Sequence, residues 1–228
     1  MVPYAGAGPL NSLMSDSSPV SAVPDAELPW DARLARHLVW PLRHGPVTPN
    51  HLTTVRLGVG VAAAAAFMHG GYAWMNLGAL LLVVSNFLDH TDGELARASG
   101  KTSRLGHWYD LCSDALVTIL LFSGIGAGVA TRSHLVLGVS PLALGLIAGL
   151  AVALIFYLRM RIEGVAGKTA SRQGSLGGFQ TEDVLYLMPL VTLCNAAVPF
   201  LTAAAIGAPL FALWVVFDYR HVMRSQPR

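Results

Sequence analysis

Residues 89–114 read DHTDGELARASGKTSRLGHWYDLCSD and carry four aspartates in two pairs. Asp89 and Asp92 are three residues apart and Asp110 and Asp114 are four apart, so each pair shares one face of a helix. Four carboxylates at one place repel one another unless cations lie between them. Mg2+ and Mn2+ prefer oxygen ligands, and two such ions would balance four negative charges. The stretch therefore predicts a site for two divalent metal ions, the alternative being solvated carboxylates at two helix ends.

Long apolar blocks fill much of the remaining chain and indicate its class. The 228 residues have a mean hydropathy of +0.53, and only 12% are charged, whereas about a quarter is usual in soluble domains. Since about 20 helical residues cross the hydrocarbon of a bilayer, we predict an all-α, polytopic membrane protein. Its six expected transmembrane helices lie near residues 50–68, 72–88, 107–129, 135–158, 181–198 and 200–217.

The segments before the first span differ from it in composition. Residues 1–28 contain no Lys or Arg and are rich in Ser, Pro, Ala and Gly, which favours disorder. Residues 29–46 place Trp30, Leu34 and Leu38 on one stripe of a helix, with arginines largely off it. This pattern predicts a juxtamembrane amphipathic helix on the membrane surface, the alternative being a helix packed against its own protein. The six-helix domain then occupies residues 47–228.

The basic residues give the orientation. All 15 Lys and Arg residues except Arg132 fall on one side of the six predicted spans. The positive-inside rule therefore places both termini and residues 89–114 in the cytoplasm, in a protein of the cytoplasmic (inner) membrane. The net charge of +2, with no basic run, argues against a nucleic-acid partner.

The aspartate stretch resembles the signature of the CDP-alcohol phosphatidyltransferase family. That signature is Asp, two residues, Asp-Gly, two residues, Ala-Arg, eight residues, Gly, three residues, Asp, three residues and Asp. Every fixed position agrees in identity and spacing. The matching residues are Asp89, Asp92, Gly93, Ala96, Arg97, Gly106, Asp110 and Asp114.

The resemblance implies an enzyme of phospholipid biosynthesis. Family members transfer a phosphatidyl or alcohol-phosphate group from a CDP-linked donor to an acceptor hydroxyl and release CMP. By this resemblance Asp89, Asp92 and Asp110 hold metal, and Asp114 contacts metal or accepts the acceptor's proton as general base. The family forms homodimers through membrane helices, so a homodimer is expected. The residues expected to cradle the nucleotide are Gly93, Ala96, Arg97, Ser103 and Gly106.

The resemblance extends upstream of the signature. Residues 48–56, TPNHLTTVR, are similar to the cluster of Pro-Asn, Thr and Arg that opens the first span in this family. Asn50 and Arg56 are then candidates for the donor site. For Asn50, a helix cap after Pro49 is the alternative. For Arg56, a charge drawn towards the membrane is costly and usually functional.

The acceptor site is less sharply defined. Arg159 and Arg161, followed by Glu163, resemble the end of the fourth span in members that use inositol phosphate or glycerol phosphate. Those members open the next span with Glu-Arg, whereas residues 182–183 here are Glu-Asp. Lys168 and Arg172 are candidate substitutes for the missing arginine, with positive-inside charge as the alternative. We therefore expect a small polar alcohol as acceptor, phosphorylated or not.

Three other functions are weighed against phosphatidyl transfer. Within the family, the alternative is transfer of a head-group phosphate from a CDP-alcohol to diacylglycerol. Outside it, a transporter would be expected to have inverted halves and broken helices at the midplane, whereas the acids here cluster at one face. A non-catalytic scaffold that kept the site is the third. Release of CMP from a CDP-linked lipid separates an enzyme from the last two.

Overall fold

A computed structural model describes residues 30–42, 45–100, 103–166 and 185–225. The segment 1–28, predicted to be disordered, lies outside these ranges. The described residues form seven α-helices, a short 3-10 helix at Trp40–Leu42 and a 3-10 turn at residues 185–187. The α-helices are α1 (Trp30–Val39), α2 (Pro49–His69), α3 (Tyr72–Ser99), α4 (Arg104–Ala130), α5 (Pro141–Ala166), α6 (Met188–Leu193) and α7 (Ala197–Ser225).

Five of the described helices, α2, α3, α4, α5 and α7, are long and apolar enough to cross a membrane. The prediction of an all-helical integral membrane protein is therefore confirmed at this level. The expected span near residues 181–198 lies partly outside the described residues. Its described part holds the short helix α6, preceded by a 3-10 turn at residues 185–187.

Two span boundaries differ from those predicted. Helix α3 continues past Leu88 and through Gly93, and it ends only where Gly100 adopts a left-handed conformation with φ of 67°. A single glycine costs a helix about 1 kcal/mol, and the strong helix formers at residues 94–98 outweigh that cost. Helix α5 begins at Pro141 instead of near residue 135, because positive φ angles at Leu137 and Gly138 form a turn first.

Close packing of α2 against α4 fixes which ends of the helices meet. A Cβ added at Gly124 of α4 would lie 2.5 Å from the carbonyl oxygen of Ala64 on α2, so the two backbones are almost in contact. Small residues allow this approach in membrane helices. Near the other end of the contact Gly60 lies against Val117, so α2 and α4 run parallel. Their first turns therefore lie at one end of the bundle, and α3, which runs back after the turn at residues 70–71, ends beside them.

Helices α5 and α7 also run parallel. The side chain of Arg159 on α5 lies over the ring of Phe211 on α7, with 5.2 Å from its guanidinium carbon to the ring centroid. Ile162 of α5 belongs to the same apolar cluster as Val215 of α7. Late residues of α5 thus face residues in the second half of α7, so the end of α5 at Ala166 and the start of α7 at Ala197 lie at opposite ends of the bundle.

Candidate functional site

The four signature aspartates meet where α3 ends and α2 and α4 begin. Asp89, Asp92 and Asp110 each contribute one carboxylate oxygen, and these three oxygens lie within 4.8 Å of one another. Asp114, one turn further along α4, joins the group through an ion pair with Arg56. The helical spacings of three and four residues thus point each pair towards the same place, as the sequence pattern predicts.

Arg56 of α2 lies at the centre of this cluster. Its guanidinium forms ion pairs with Asp89, Asp110 and Asp114, and the Nη2 to Oδ1 distance to Asp110 is 3.1 Å. Arg56 is only 3% exposed, and a buried arginine is stable only when carboxylates compensate its charge. The sequence suggested Arg56 for the donor site, and in the structure its contacts are to the expected metal ligands.

Asp92 is held from α2 as well. The hydroxyl of Thr53 donates a hydrogen bond of 2.9 Å to Oδ2 of Asp92, and both residues are buried. Thr53 is a site residue that the sequence reasoning did not single out, although it lies inside the stretch 48–56 that marked the opening of the first span. Its hydrogen bond fixes the orientation of the Asp92 carboxylate within the cluster.

The composition of the cluster fits a hard divalent cation. All of its potential ligand atoms are carboxylate oxygens, the donors that Mg2+ and Mn2+ prefer. Arg56 offsets one of the four negative charges, so three remain at a partly buried place. Such a group can bind a metal ion, because further positive charge relieves the repulsion between its members.

Ser103, Gly106 and Asn50 pack together where α2 and α4 begin. The Ser103 hydroxyl caps α4 by accepting a 2.9 Å hydrogen bond from the backbone N–H of Gly106. A Cβ on Gly106 would lie 2.8 Å from Oδ1 of Asn50 and 3.0 Å from Oγ of Ser103, so only glycine fits here without displacement. The capping alternative for Asn50 is wrong, since the N-cap of α2 is Thr48.

Arg97 lies on the last turn of α3, beside Gly93 and the half-buried Ala96. A Cβ on Gly93 would lie 3.5 Å from Nη2 of Arg97, so the guanidinium extends back over the glycine. Nη2 donates a 2.7 Å hydrogen bond to Oε1 of Glu94. The Arg97 side chain nevertheless remains 64% exposed, which leaves it accessible to a ligand.

The candidate acceptor residues are only partly described. Arg159 is half-buried against Phe211, as noted above, and Arg161 is exposed on the last part of α5. Lys168 and Arg172, together with the acidic pair at residues 182–183, lie outside the described residues. The structure therefore brings the aspartates together around Arg56, and it brings Asn50, Ser103 and Gly106 together where α2 and α4 begin.

Comparisons with known proteins agree with the signature. The family model of the CDP-alcohol phosphatidyltransferases matches residues 46–217. A bifunctional IPC transferase and DIPP synthase of Rubrobacter xylanophilus is 30% identical over 139 residues, which cover 61% of this chain and 29% of that protein. An archaetidylinositol phosphate synthase of Pyrococcus horikoshii is 35% identical over 86 residues, which cover 38% of this chain and 44% of that protein. The chain thus matches less than half of the length of these two relatives.

A solved structure has a similar fold. The crystal structure of Mycobacterium tuberculosis phosphatidylinositol phosphate synthase, determined with CDP-DAG bound, superposes with a TM-score of 0.52 at 22% identity. The match covers 86% of this chain and 92% of that one. At this identity the likeness concerns the fold alone.

Cation binding by the aspartate cluster can be measured without an assay of activity. At about 100 times its Kd, Mg2+ or Mn2+ is expected to raise the Tm of the detergent-solubilised protein by about 5–10 °C. Asp110→Asn removes one carboxylate of the cluster and should greatly reduce that shift. Asp218→Asn, which changes an aspartate on α7 outside the cluster, is the matched control and should keep it. Equal shifts in both variants would exclude the cluster as the cation site.

Proposed function

Because the chain belongs to the CDP-alcohol phosphatidyltransferase family, we propose that it transfers a phosphatidyl group from a CDP-linked lipid to an acceptor alcohol and releases CMP, in phospholipid biosynthesis. The observation that carries this proposal is the meeting of the signature carboxylates of Asp89, Asp92, Asp110 and Asp114 at one end of the bundle. The name of the Pyrococcus horikoshii relative, archaetidylinositol phosphate synthase, supports the same reaction class.

The proposed reaction is a displacement at phosphorus. The acceptor's hydroxyl oxygen forms a bond to the lipid-linked phosphorus of the donor, and the bond from that phosphorus to the bridging pyrophosphate oxygen breaks. The electron pair leaves with CMP, and Asp114 accepts the hydroxyl proton as general base. Arg97 binds the donor's phosphates, since a guanidinium recognises phosphate through several N–H groups. Gly93 and Gly106 let the nucleotide approach the backbone closely.

Asp89, Asp92 and Asp110 are proposed to hold the metal ions, with Asp114 as a further contact. The family depends on divalent metal in general, and we propose two ions, Mg2+ or Mn2+. When bound, they supply positive charge that stabilises the attacking and leaving oxygens. With Arg56 and two ions present, the site is positively charged before the anionic donor arrives, which favours donor binding.

Substitutions of Asp114 and Asp89 should impair the reaction in different ways. Asp114→Asn removes the base and should lower kcat by about a hundredfold or more while leaving most CDP-diacylglycerol binding. Asp89→Asn should weaken metal and nucleotide binding together. CMP release from radiolabelled CDP-diacylglycerol, with and without EDTA, measures the first effect, and calorimetric titration measures the second. Equal loss of binding in both variants would remove the distinction between base and ligand, and CMP release that persists in EDTA would contradict a metal-dependent transfer.

For the acceptor we propose a small polar alcohol that is bound near the end of α5. Arg161 is exposed there, whereas Arg159 is engaged with Phe211. Arg161 is therefore the arginine better placed for a ligand, with Arg159, Lys168 and Arg172 as further candidates. A phosphorylated acceptor carries nearly two negative charges at neutral pH and needs fixed cations of this kind.

A pair of substitutions tests the acceptor site. If inositol phosphate or glycerol phosphate is the acceptor, Arg161→Ala should raise its KM by about tenfold through loss of a charge-assisted hydrogen bond. Glu182→Ala removes a negative charge and should lower that KM or leave it unchanged. The assay is CMP release from CDP-diacylglycerol with a panel of alcohols, the products being identified by mass spectrometry. If neither variant alters the KM of any phosphorylated acceptor, this region is not the acceptor site.

We also propose six membrane crossings with a surface helix before them. The parallel directions of α5 and α7 support a return crossing between them, and α6 would lie in it. In α1, Leu34 and Leu38 are more than half exposed, which suits a helix whose apolar stripe contacts lipid. The homodimer that the family resemblance implies can be tested by measuring the mass of the protein in lipid nanodiscs.

The proposed orientation puts both termini and the aspartate site in the cytoplasm of an inner-membrane protein. With Cys112 and Cys194 replaced by alanine, a cysteine introduced by Arg132→Cys should react with an impermeant maleimide added outside intact cells. Arg220→Cys, on the last turns of α7, should react only after the membrane is opened. The reverse pattern would invert the orientation.

A further inference from the structure

Glu94 is a buried carboxylate in the middle of the signature, at a position that the family pattern leaves open. It is 2% exposed, and it lies between the metal-ligand candidate Asp92 and the nucleotide candidate Arg97. Burying a carboxylate is costly unless cations and hydrogen bonds compensate its charge. Glu94 therefore needs partners, and the structure supplies two arginines.

The two arginines approach Glu94 from different helices and use different oxygens. Arg97, three residues later on α3, donates to Oε1 at 2.7 Å. Arg36, from α1, donates through Nε to Oε2 at 3.3 Å. Because each oxygen has its own arginine, the two contacts do not compete, and together they fix the rotation of the carboxylate.

Because Arg36 occupies the second oxygen of Glu94, Arg97 uses only some of its N–H donors on this carboxylate. Only its Nη2 is engaged by Glu94, and its other nitrogens make no hydrogen bond to any residue that the structure describes. If Arg36 were absent, Oε2 would be open, and Arg97 could turn to bind both oxygens of Glu94, as arginine and carboxylate commonly do. The contact of Arg36 with Oε2 thus leaves the remaining N–H groups of Arg97, whose side chain is 64% exposed, available to a ligand.

Helix α1 is packed firmly enough for Arg36 to have this effect. Ala35 and Val39, on either side of Arg36 in the sequence, are completely buried, and α1 packs against α3. Leu95, the residue after Glu94, is also completely buried. The Arg36 to Glu94 contact therefore lies at a close-packed junction between the juxtamembrane helix and the signature helix.

We propose that Glu94 is a positioning residue which, held by Arg36 of α1, orients Arg97 towards the phosphates of the donor. The proposal rests on the proposed function, because it takes Arg97 as a contact of the CDP-linked lipid. It gives α1 a part in donor binding, although none of its described residues needs to touch the donor.

The experiment is a set of titrations of CDP-diacylglycerol, in detergent micelles with Mg2+, into the full-length protein and its variants. Glu94→Gln keeps the shape of the side chain but removes its charge, and we expect it to raise the Kd by about tenfold. Arg36→Gln should raise the Kd to a similar extent, the double variant should be no worse than either single one, and Arg36→Lys should recover much of the loss. Arg220→Gln, which removes an exposed arginine from α7, is the charge control and should leave the Kd unchanged.

The variants separate a positioning role from a structural one. Arg36→Gln takes one of its two partners from the buried Glu94, so a lower Tm is expected, and the titrations are made well below it. At that temperature the variant should keep the wild-type kcat at saturating donor, with the whole functional loss in Kd and KM. If Arg97→Ala weakens donor binding while Glu94→Gln and Arg36→Gln do not, the positioning proposal is overturned and the proposed function stands. If Arg97→Ala leaves the Kd unchanged, Arg97 is not a donor contact, and the positioning proposal falls with that assignment. Additive losses in the double variant would also overturn it.

Discussion

The rest of the site depends on one electrostatic constraint, which is the concentration of four carboxylates around the buried guanidinium of Arg56. The charges come from α2, α3 and α4, so none of these helices can move along its axis without separating a buried arginine from its partners. Leaving such a charge unpaired costs about 3–5 kcal/mol. One arginine does not neutralise four aspartates, and the remaining negative charge is what suits the site to divalent cations.

Backbone packing makes this concentration of charge possible. Because Gly124 lets α4 lie almost in contact with α2 at Ala64, the two helices run side by side in the same direction, and their first turns are neighbours. Helix α3 packs against α2 and runs back after the turn at residues 70–71, which brings Asp89 and Asp92 to the same end. A larger residue at Gly124 or Gly106 would separate the helices that carry the charges, so the glycines contribute to the site through geometry while the aspartates supply its chemistry.

The juxtamembrane helix helps to compensate a second buried negative charge, which lies outside the aspartate cluster. Glu94 carries a further buried negative charge on α3, and its compensation requires Arg36 from outside the bundle of spans. The helix that lies before the first span is thereby tied to the signature helix through an ion pair as well as through the buried Ala35 and Val39. The juxtamembrane helix and the signature thus meet at α3, which carries five of the eight signature residues.

The sequence by itself determined the class of the fold, the family and the identity of the metal-ligand candidates. Helical spacing is a local property, and apolar blocks of about 20 residues identify membrane spans without knowledge of their packing. Residues such as Asp89 and Asp114 could therefore be named as candidates from spacing and resemblance alone. Helix ends were less accurate, since the favourable residues after Gly93 outweigh one glycine and carry α3 on to Ser99.

Only the tertiary structure decided which side chains from different helices touch. Arg56 among the aspartates, Thr53 on Asp92, Asn50 against Gly106 and Arg36 on Glu94 join residues that are far apart in the sequence. Such contacts depend on the direction, rotation and spacing of packed helices, which no local pattern encodes. The sequence thus supplied the charged groups, and the packing of α1, α2, α3 and α4 determined how those charges are paired.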